Sequence, residues 1–247
     1  MLGLPDEVTT CLFDLDGVLT PTAEVHGKAW KQTFDEFLAH RAEQTGAPFA
    51  PFDAVADYDE YVDGKPRYEG VQSFLESRGI ELAPGDPGDA PGEATIDALG
   101  NRKNKRVLEL IHEQGVKPYP GSVAYLRAAR DAGLRRAVVS SSTNCRDVLT
   151  SAGIIDLVEE IVDGVVATRE HLHGKPAPDT FLRAAEGLGV EPARAAVFED
   201  ALAGVEAGRA GGFGIVVGVD RVGQAQALAV HGADVVVEDL ADLLARQ

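Results

Sequence analysis

Two aspartates, Asp14 and Asp16, close the apolar run of the segment CLFDLDGVLT. Side chains two apart on an extended segment point the same way, so both carboxylates face one point. One can attack as a nucleophile or bind a metal while the other handles a proton. Gly17 follows and lets the backbone turn tightly towards a ligand. A second acidic pair, Glu199 and Asp200, follows the apolar AAVF. The four acids together offer hard oxygen ligands of the kind that bind Mg²⁺. Ser140, Ser141 and Ser142 follow RRAVV and supply hydroxyls and backbone N–H groups. A helix is expected just beyond them, and its N-terminus suits an anion. Lys175 lies in HGKPAPD, where the next proline holds it in an extended loop. Alone it reads as a surface cation; with the serines and acids it reads as a phosphate partner.

These residues need a frame that gathers them. Five runs rich in apolar and β-branched residues stand out: TTCLFD, RRAVVSS, AAVFED, FGIVVGV and ADVVVED. The last four alternate with segments of helical periodicity, such as PGSVAYLRAARDAGL and PDTFLRAAEGLGV. That pattern predicts an α/β fold with a parallel sheet covered on both faces. Ligands of open α/β sheets sit outside the carboxyl ends of the strands, so Asp14, Ser140, Glu199 and Asp200 should converge. From Pro21 to Lys117 the chain reads as helical, with AEVHGKAWKQTFDEFLAHRAE and ALGNRKNKRVLELIHEQGV on either side of the loop LAPGDPGDAPGE. The expected organisation is a catalytic core of residues 1–20 and 118–247 with a helical domain, 21–117, inserted after the first strand.

The composition narrows the function. The 247 residues are 45% hydrophobic, enough for a sizeable core, and carry a formal net charge of -17. That balance argues against non-specific binding to nucleic acid and against docking on anionic lipid. An anionic substrate would need local cations. No apolar run approaches a bilayer span, and MLGLPDEVTT lacks the basic and apolar regions of a secretory signal; the cytosol is the expected compartment. Cys11 and Cys145 are the only cysteines and make no disulfide framework or thiolate metal cluster. His171 and His173, in HLHG, read as surface loop, and Gly211–Gly212 precede a predicted strand, so they make no dinucleotide fingerprint.

In order along the chain, FDLDGVLT, VVSSS, GKPAPD and FEDALAGVEA resemble the four motifs of the haloacid dehalogenase superfamily. The similarity spans essentially the whole chain. Within the superfamily, FDLDGVLTPTAEVHGKAW most resembles the first motif and cap entry of the β-phosphoglucomutases. The resemblance implies a Rossmann-like core with an inserted α-helical cap. It implies Asp14 as the nucleophile that becomes an aspartyl phosphate, and Asp16 as general acid and base. Mg²⁺ would be held by Asp14, the Asp16 carbonyl, Glu199 and Asp200. Ser140 and Lys175 would neutralise the transferring phosphoryl group. In the cap, His26 and Trp30 lie four apart on one helix face. In the resembled mutases that histidine helps to control the acid/base aspartate. Arg67, in DGKPRYEGV, matches an arginine that grips the substrate's distal phosphate. Lys103 matches a second cap residue facing the site. Ser142 and Asn144 match a loop that binds substrate phosphate. One departure is clear: related mutases carry lysine where this chain has Thr143.

The function implied is conversion of β-glucose 1-phosphate to glucose 6-phosphate through the 1,6-bisphosphate. The alternative is a Mg²⁺-dependent sugar-phosphate phosphatase, in which water accepts the phosphoryl group from Asp14. A non-catalytic phosphosugar-binding module is a third, remote reading. All three take a phosphorylated sugar and exclude nucleic acid and membrane; oligomeric state is not legible.

Overall fold

The computed structural model describes residues 2–245. In chain order its main elements are β1 (Thr10–Phe13), α1 (Thr22–Thr45), α2 (Arg67–Ser77), α3 (Ile96–Gln114), α4 (Pro120–Asp131), β2 (Arg135–Val139), α5 (Cys145–Ser151), β3 (Glu160–Val162), α6 (Gly164–Glu170), α7 (Asp179–Gly187), β4 (Ala195–Glu199), α8 (Leu202–Ala210), β5 (Ile215–Val219), α9 (Ala225–His231), β6 (Val235–Val237) and α10 (Ala241–Ala245). The chain divides into two compact units, Met1–Thr22 with Val116–Gln247, and Ala23–Gly115.

The first unit is built on one parallel sheet of order β3-β2-β1-β4-β5-β6. The predicted α/β class and parallel sheet are thus borne out, and five of the six strands coincide with the apolar runs. The sixth, β3, is three residues long, too short to show a pattern of its own. β1 is buried at every position, as befits a strand with a neighbour on each side and helices above and below. Its side chains alternate between the two faces. Leu12 joins Val197, Ala137 and Phe181 in one core cluster. Phe13 stacks on Phe198 at 4.5 Å between ring centroids, and the Tyr125 ring of α4 meets both edge-on. Each such fully buried aromatic or aliphatic side chain contributes about 1.5–3 kcal/mol.

Register brings the strand ends level. Phe13 lies opposite Val138 on one side and Phe198 on the other, and Asp14 N–H donates to the Phe198 carbonyl at 2.9 Å. Chain order reverses between β1 and β4, which is where a crevice opens in sheets of this kind.

The second unit is helical. Its core is a group of aromatic rings contributed by α1, α2 and the intervening loop. Phe34 stacks on Trp30 at 5.0 Å and lies 4.2 Å from Phe74 and 5.2 Å from Phe52. Thr95 caps α3 by accepting the Ala98 N–H at 3.1 Å, and Gly115, at φ 66°, ends it. The helix α2 and the single π-helical turn Tyr58–Val62 lie in a stretch whose Gly, Pro and Asp content hides the periodicity. Among the described residues no helix is long and apolar enough to cross a membrane.

Candidate active site

The ends of β1, β2 and β4 and the loop after α6 converge on one buried lysine. Lys175, 2% exposed, places its ammonium 2.5 Å from Asp14 Oδ1 and 2.5 Å from Glu199 Oε1. Its third contact is the Val139 carbonyl at 3.4 Å, so all three ammonium protons have acceptors. The Phe181 ring lies 5.0 Å away. Burial works to strip this lysine of its proton, but Asp14 and Glu199 outweigh it and hold its pKa above the ordinary lysine range. Burial also pushes the Asp14 carboxyl well above the usual carboxylate range. Lys175 opposes that shift, while Glu199 and Asp16 add to it.

The acidic pair at the end of β4 divides its labour. Glu199 Oε2 accepts the Ala201 N–H at 2.8 Å, so both of its oxygens rest on protein donors. A Cβ on Gly204 would fall 1.8 Å from Glu199 Oε1, so only glycine lets α8 pack against this carboxylate. Asp200 instead lies over the turn after β1, where a Cβ on Gly17 would meet its Oδ2 at 1.7 Å. Gly17 has φ 87° and thus needs glycine twice over, for its backbone and for its neighbour.

Asp16 is half-buried. The Thr22 hydroxyl donates to its Oδ1, and the Thr20 and Thr22 hydroxyls lie 2.6 Å apart. After β2, the Ser142 N–H donates to Ser140 Oγ at 3.1 Å and the Asn144 N–H to Ser142 Oγ at 3.1 Å. This ladder leaves the two hydroxyl protons to point elsewhere. Ser140 is buried and adjoins Val139, the residue whose carbonyl meets Lys175.

Among the described residues no three Asp, Glu, His or Cys side chains form a metal cage. Mg²⁺ does not require one. It keeps several waters and is commonly held by one or two carboxylates with help from substrate. The set here fits that habit: Asp14 next to Lys175, Asp200 over Gly17, and the backbone between them, with four acids set against a single lysine.

In the second unit, Lys103 is 5% exposed. Its Nζ lies 2.8 Å from His26 Nδ1 and 4.7 Å from the centroid of the Trp30 ring. An ammonium has only donors, so in this contact His26 Nδ1 is the acceptor. Three residues singled out in the sequence thus form one cluster. Arg67 stands apart, donating from Nη2 to the Tyr68 hydroxyl at 2.9 Å, which donates in turn to Asn101 Oδ1 at 3.0 Å. Its Nε is buried with no hydrogen bond among the described residues. His171 and His173 are exposed, and His173 Nδ1 lies 2.8 Å from Asp179 Oδ2.

Sequence motifs missed Thr22 and the far loop residues Arg221 and Gln224, which touch the backbone of Gly17 and Asp200. The clustering of Thr20 and Thr22 just past the Asp pair is the one sequence signal available for the first. None points to the other two.

A family model for haloacid dehalogenase-like hydrolases matches residues 8–212. The chain belongs to that family. Like the other haloacid dehalogenase-like hydrolases, it is an enzyme. It is 58% identical over 247 residues to a β-phosphoglucomutase of Mycobacterium bovis, covering 99% of this chain and 94% of that one. It is 36% identical to a β-phosphoglucomutase of Bacillus subtilis, over 94% of this chain and 90% of that one. A crystal structure of β-phosphoglucomutase from Clostridium difficile superposes with a TM-score of 0.76 at 27% identity, covering 96% of this chain and 93% of that one.

Proposed function

We propose that the protein is a β-phosphoglucomutase, converting β-glucose 1-phosphate to glucose 6-phosphate in the cytosol with Mg²⁺ as cofactor. The observation that carries the chemistry is the buried bridge from Asp14 through Lys175 to Glu199. It orients one Asp14 oxygen and leaves the other for attack on phosphorus. The choice of sugar rests on the relatives.

In this reading Asp14 attacks the phosphoryl group of the 1,6-bisphosphate and becomes an aspartyl phosphate. Asp16, steadied by Thr22, gives its proton to the departing sugar oxygen and takes one back from the next attacking hydroxyl. Lys175 and Ser140 stabilise the charge on the phosphoryl oxygens, which suits a reaction governed by positioning and electrostatics. Mg²⁺ would be held by Asp14, the Asp16 carbonyl, Glu199 and Asp200, and would supply positive charge to screen the phosphoryl oxygens from the attacking carboxylate. Glu199 also holds Lys175 through its Oε1. His26, Trp30, Arg67 and Lys103 are read as substrate-binding residues of the helical unit, and Ser142 and Asn144 as residues of a loop in the sheet unit that binds substrate phosphate.

A second reading, a sugar-phosphate phosphatase, is favoured by Thr143, where related mutases have lysine. One incubation separates the two. The protein is given Mg²⁺, β-glucose 1-phosphate and a trace of the 1,6-bisphosphate, and glucose 6-phosphate and free phosphate are measured together. Glucose 6-phosphate in excess is expected; free phosphate without it would establish the phosphatase.

A further inference from the structure

The loop between β5 and α9 reaches back to both acidic turns. Arg221 Nε donates to the Gly17 carbonyl at 2.9 Å, directly after Asp16. Its guanidinium lies 3.8 Å over the centroid of the Tyr119 ring. Nη1 donates to the Glu238 carbonyl at 2.7 Å and to Asp239 Oδ2 at 3.2 Å. Three residues on, Gln224 Nε2 donates to the Asp200 carbonyl at 3.0 Å. Asp220 makes the loop stiff. Its Oδ1 accepts the N–H groups of Val222, Gly223 and Gln224 at 3.2, 2.7 and 2.8 Å, and its Oδ2 accepts that of Ala225 at 3.1 Å.

The same turn is gripped at its next two carbonyls. Ser122 Oγ donates to Val18 O at 2.6 Å and Tyr119 N–H to Leu19 O at 2.9 Å. Of the three donors, Arg221 alone is a cation and alone comes from the loop that also holds Asp200. A guanidinium that stacks and donates in two directions is a fixed fork, and charge-assisted bonds are roughly twice as strong as neutral ones.

We propose that Arg221 and Gln224 are positioning residues: together they set the turn that carries Asp16 against the backbone that carries Asp200. The proposal rests on the reading of Asp14 as phosphoryl acceptor and Asp16 as proton carrier. It implies a selective defect. When the 1,6-bisphosphate phosphorylates Asp14, the bond from phosphorus to the sugar oxygen breaks, the bond to the Asp14 oxygen forms, and Asp16 protonates the departing oxygen. Acetyl phosphate phosphorylates the same carboxylate, but its acetate leaves without a proton. Misplacing Asp16 should therefore slow the first donor far more than the second.

The test measures the rate of Asp14 phosphorylation in a single turnover, by rapid quench with Mg²⁺, from each donor. Arg221→Ala should slow transfer from the bisphosphate by about 10–100-fold and from acetyl phosphate by no more than about threefold, with half-saturating concentrations unchanged. Arg221→Lys should fall between wild type and Arg221→Ala, and Gln224→Ala should show a smaller defect of the same kind. Melting temperature is recorded for each variant; if Arg221→Ala does not fold, the other two carry the comparison. Equal losses on both donors, or a defect confined to half-saturation, would overturn the proposal. Failure of the wild-type protein to phosphorylate Asp14 from either donor would sink the parent reading and the proposal with it.

Discussion

Each unit of the molecule buries a lysine, and the two are held by opposite means. Lys175 lies between two carboxylates with a backbone carbonyl as its third acceptor. Lys103 lies against an imidazole nitrogen and the face of an indole. The first arrangement is made of full charges at fixed strand ends, where a displaced atom is costly. The second is made of rings, whose attraction for a cation is weaker and less directional. Chemistry that depends on attack along one line is served by the first. In the proposed function, the second is the one that would meet a substrate's outer groups.

The sharpest way to break this contrast is at the carboxylate that Lys175 orients. Asp14→Asn should lower phosphoryl transfer by at least about 10³-fold, because the nucleophile is lost while its neighbours stay. An assay with either phosphate donor checks it. Next comes the lysine itself. Lys175→Met strands two buried carboxylates and should cost about 3–5 kcal/mol of stability, read from urea unfolding. A loss near zero would mean that Lys175 is no more than a surface cation in solution.

The ring-held unit should fail by volume rather than charge. Phe34→Ala leaves a hole between Trp30, Phe52 and Phe74 and should cost about 3–5 kcal/mol. Trp30 is the only tryptophan in the chain, so its fluorescence reports this unit's unfolding separately from far-UV circular dichroism. The smallest effect is expected at the second lysine. Lys103→Met keeps the bulk over the indole and removes the cation, for a loss of about 0.5–2 kcal/mol. The emission of Trp30 should shift in the folded state; an unchanged spectrum would place the ammonium elsewhere.

The contrast also explains what could be read from the chain alone. Asp14, Ser140, Lys175 and Glu199 were legible because each ends an apolar run or sits beside a proline, and parallel strands of equal register must bring such ends together. β3 was not, because three residues cannot establish a period. Thr22 belongs to a helix entry and acts through a hydroxyl that no spacing rule selects. Arg221 is further from reach. Its partner is a carbonyl 204 positions earlier in the chain, and a backbone acceptor leaves no mark on the residue type that carries it. In the second unit, helical spacing put His26 and Trp30 on one face. That Lys103 joins them depends on how α3 packs, which periodicity does not determine.

The position of β1 has a consequence for synthesis on the ribosome. This strand is made first, yet both of its partners, Arg135–Val139 and Ala195–Glu199, come after the whole of Ala23–Gly115. At about 5–20 residues per second, β1 waits on the order of ten seconds for β4. The helical unit can complete its own ring cluster in that interval, and the four buried residues Thr10–Phe13 must stay out of trouble meanwhile. Lys175 can bridge Asp14 to Glu199 only after that delay, so a nascent chain stalled short of β4 lacks the buried bridge whatever the helical unit has done.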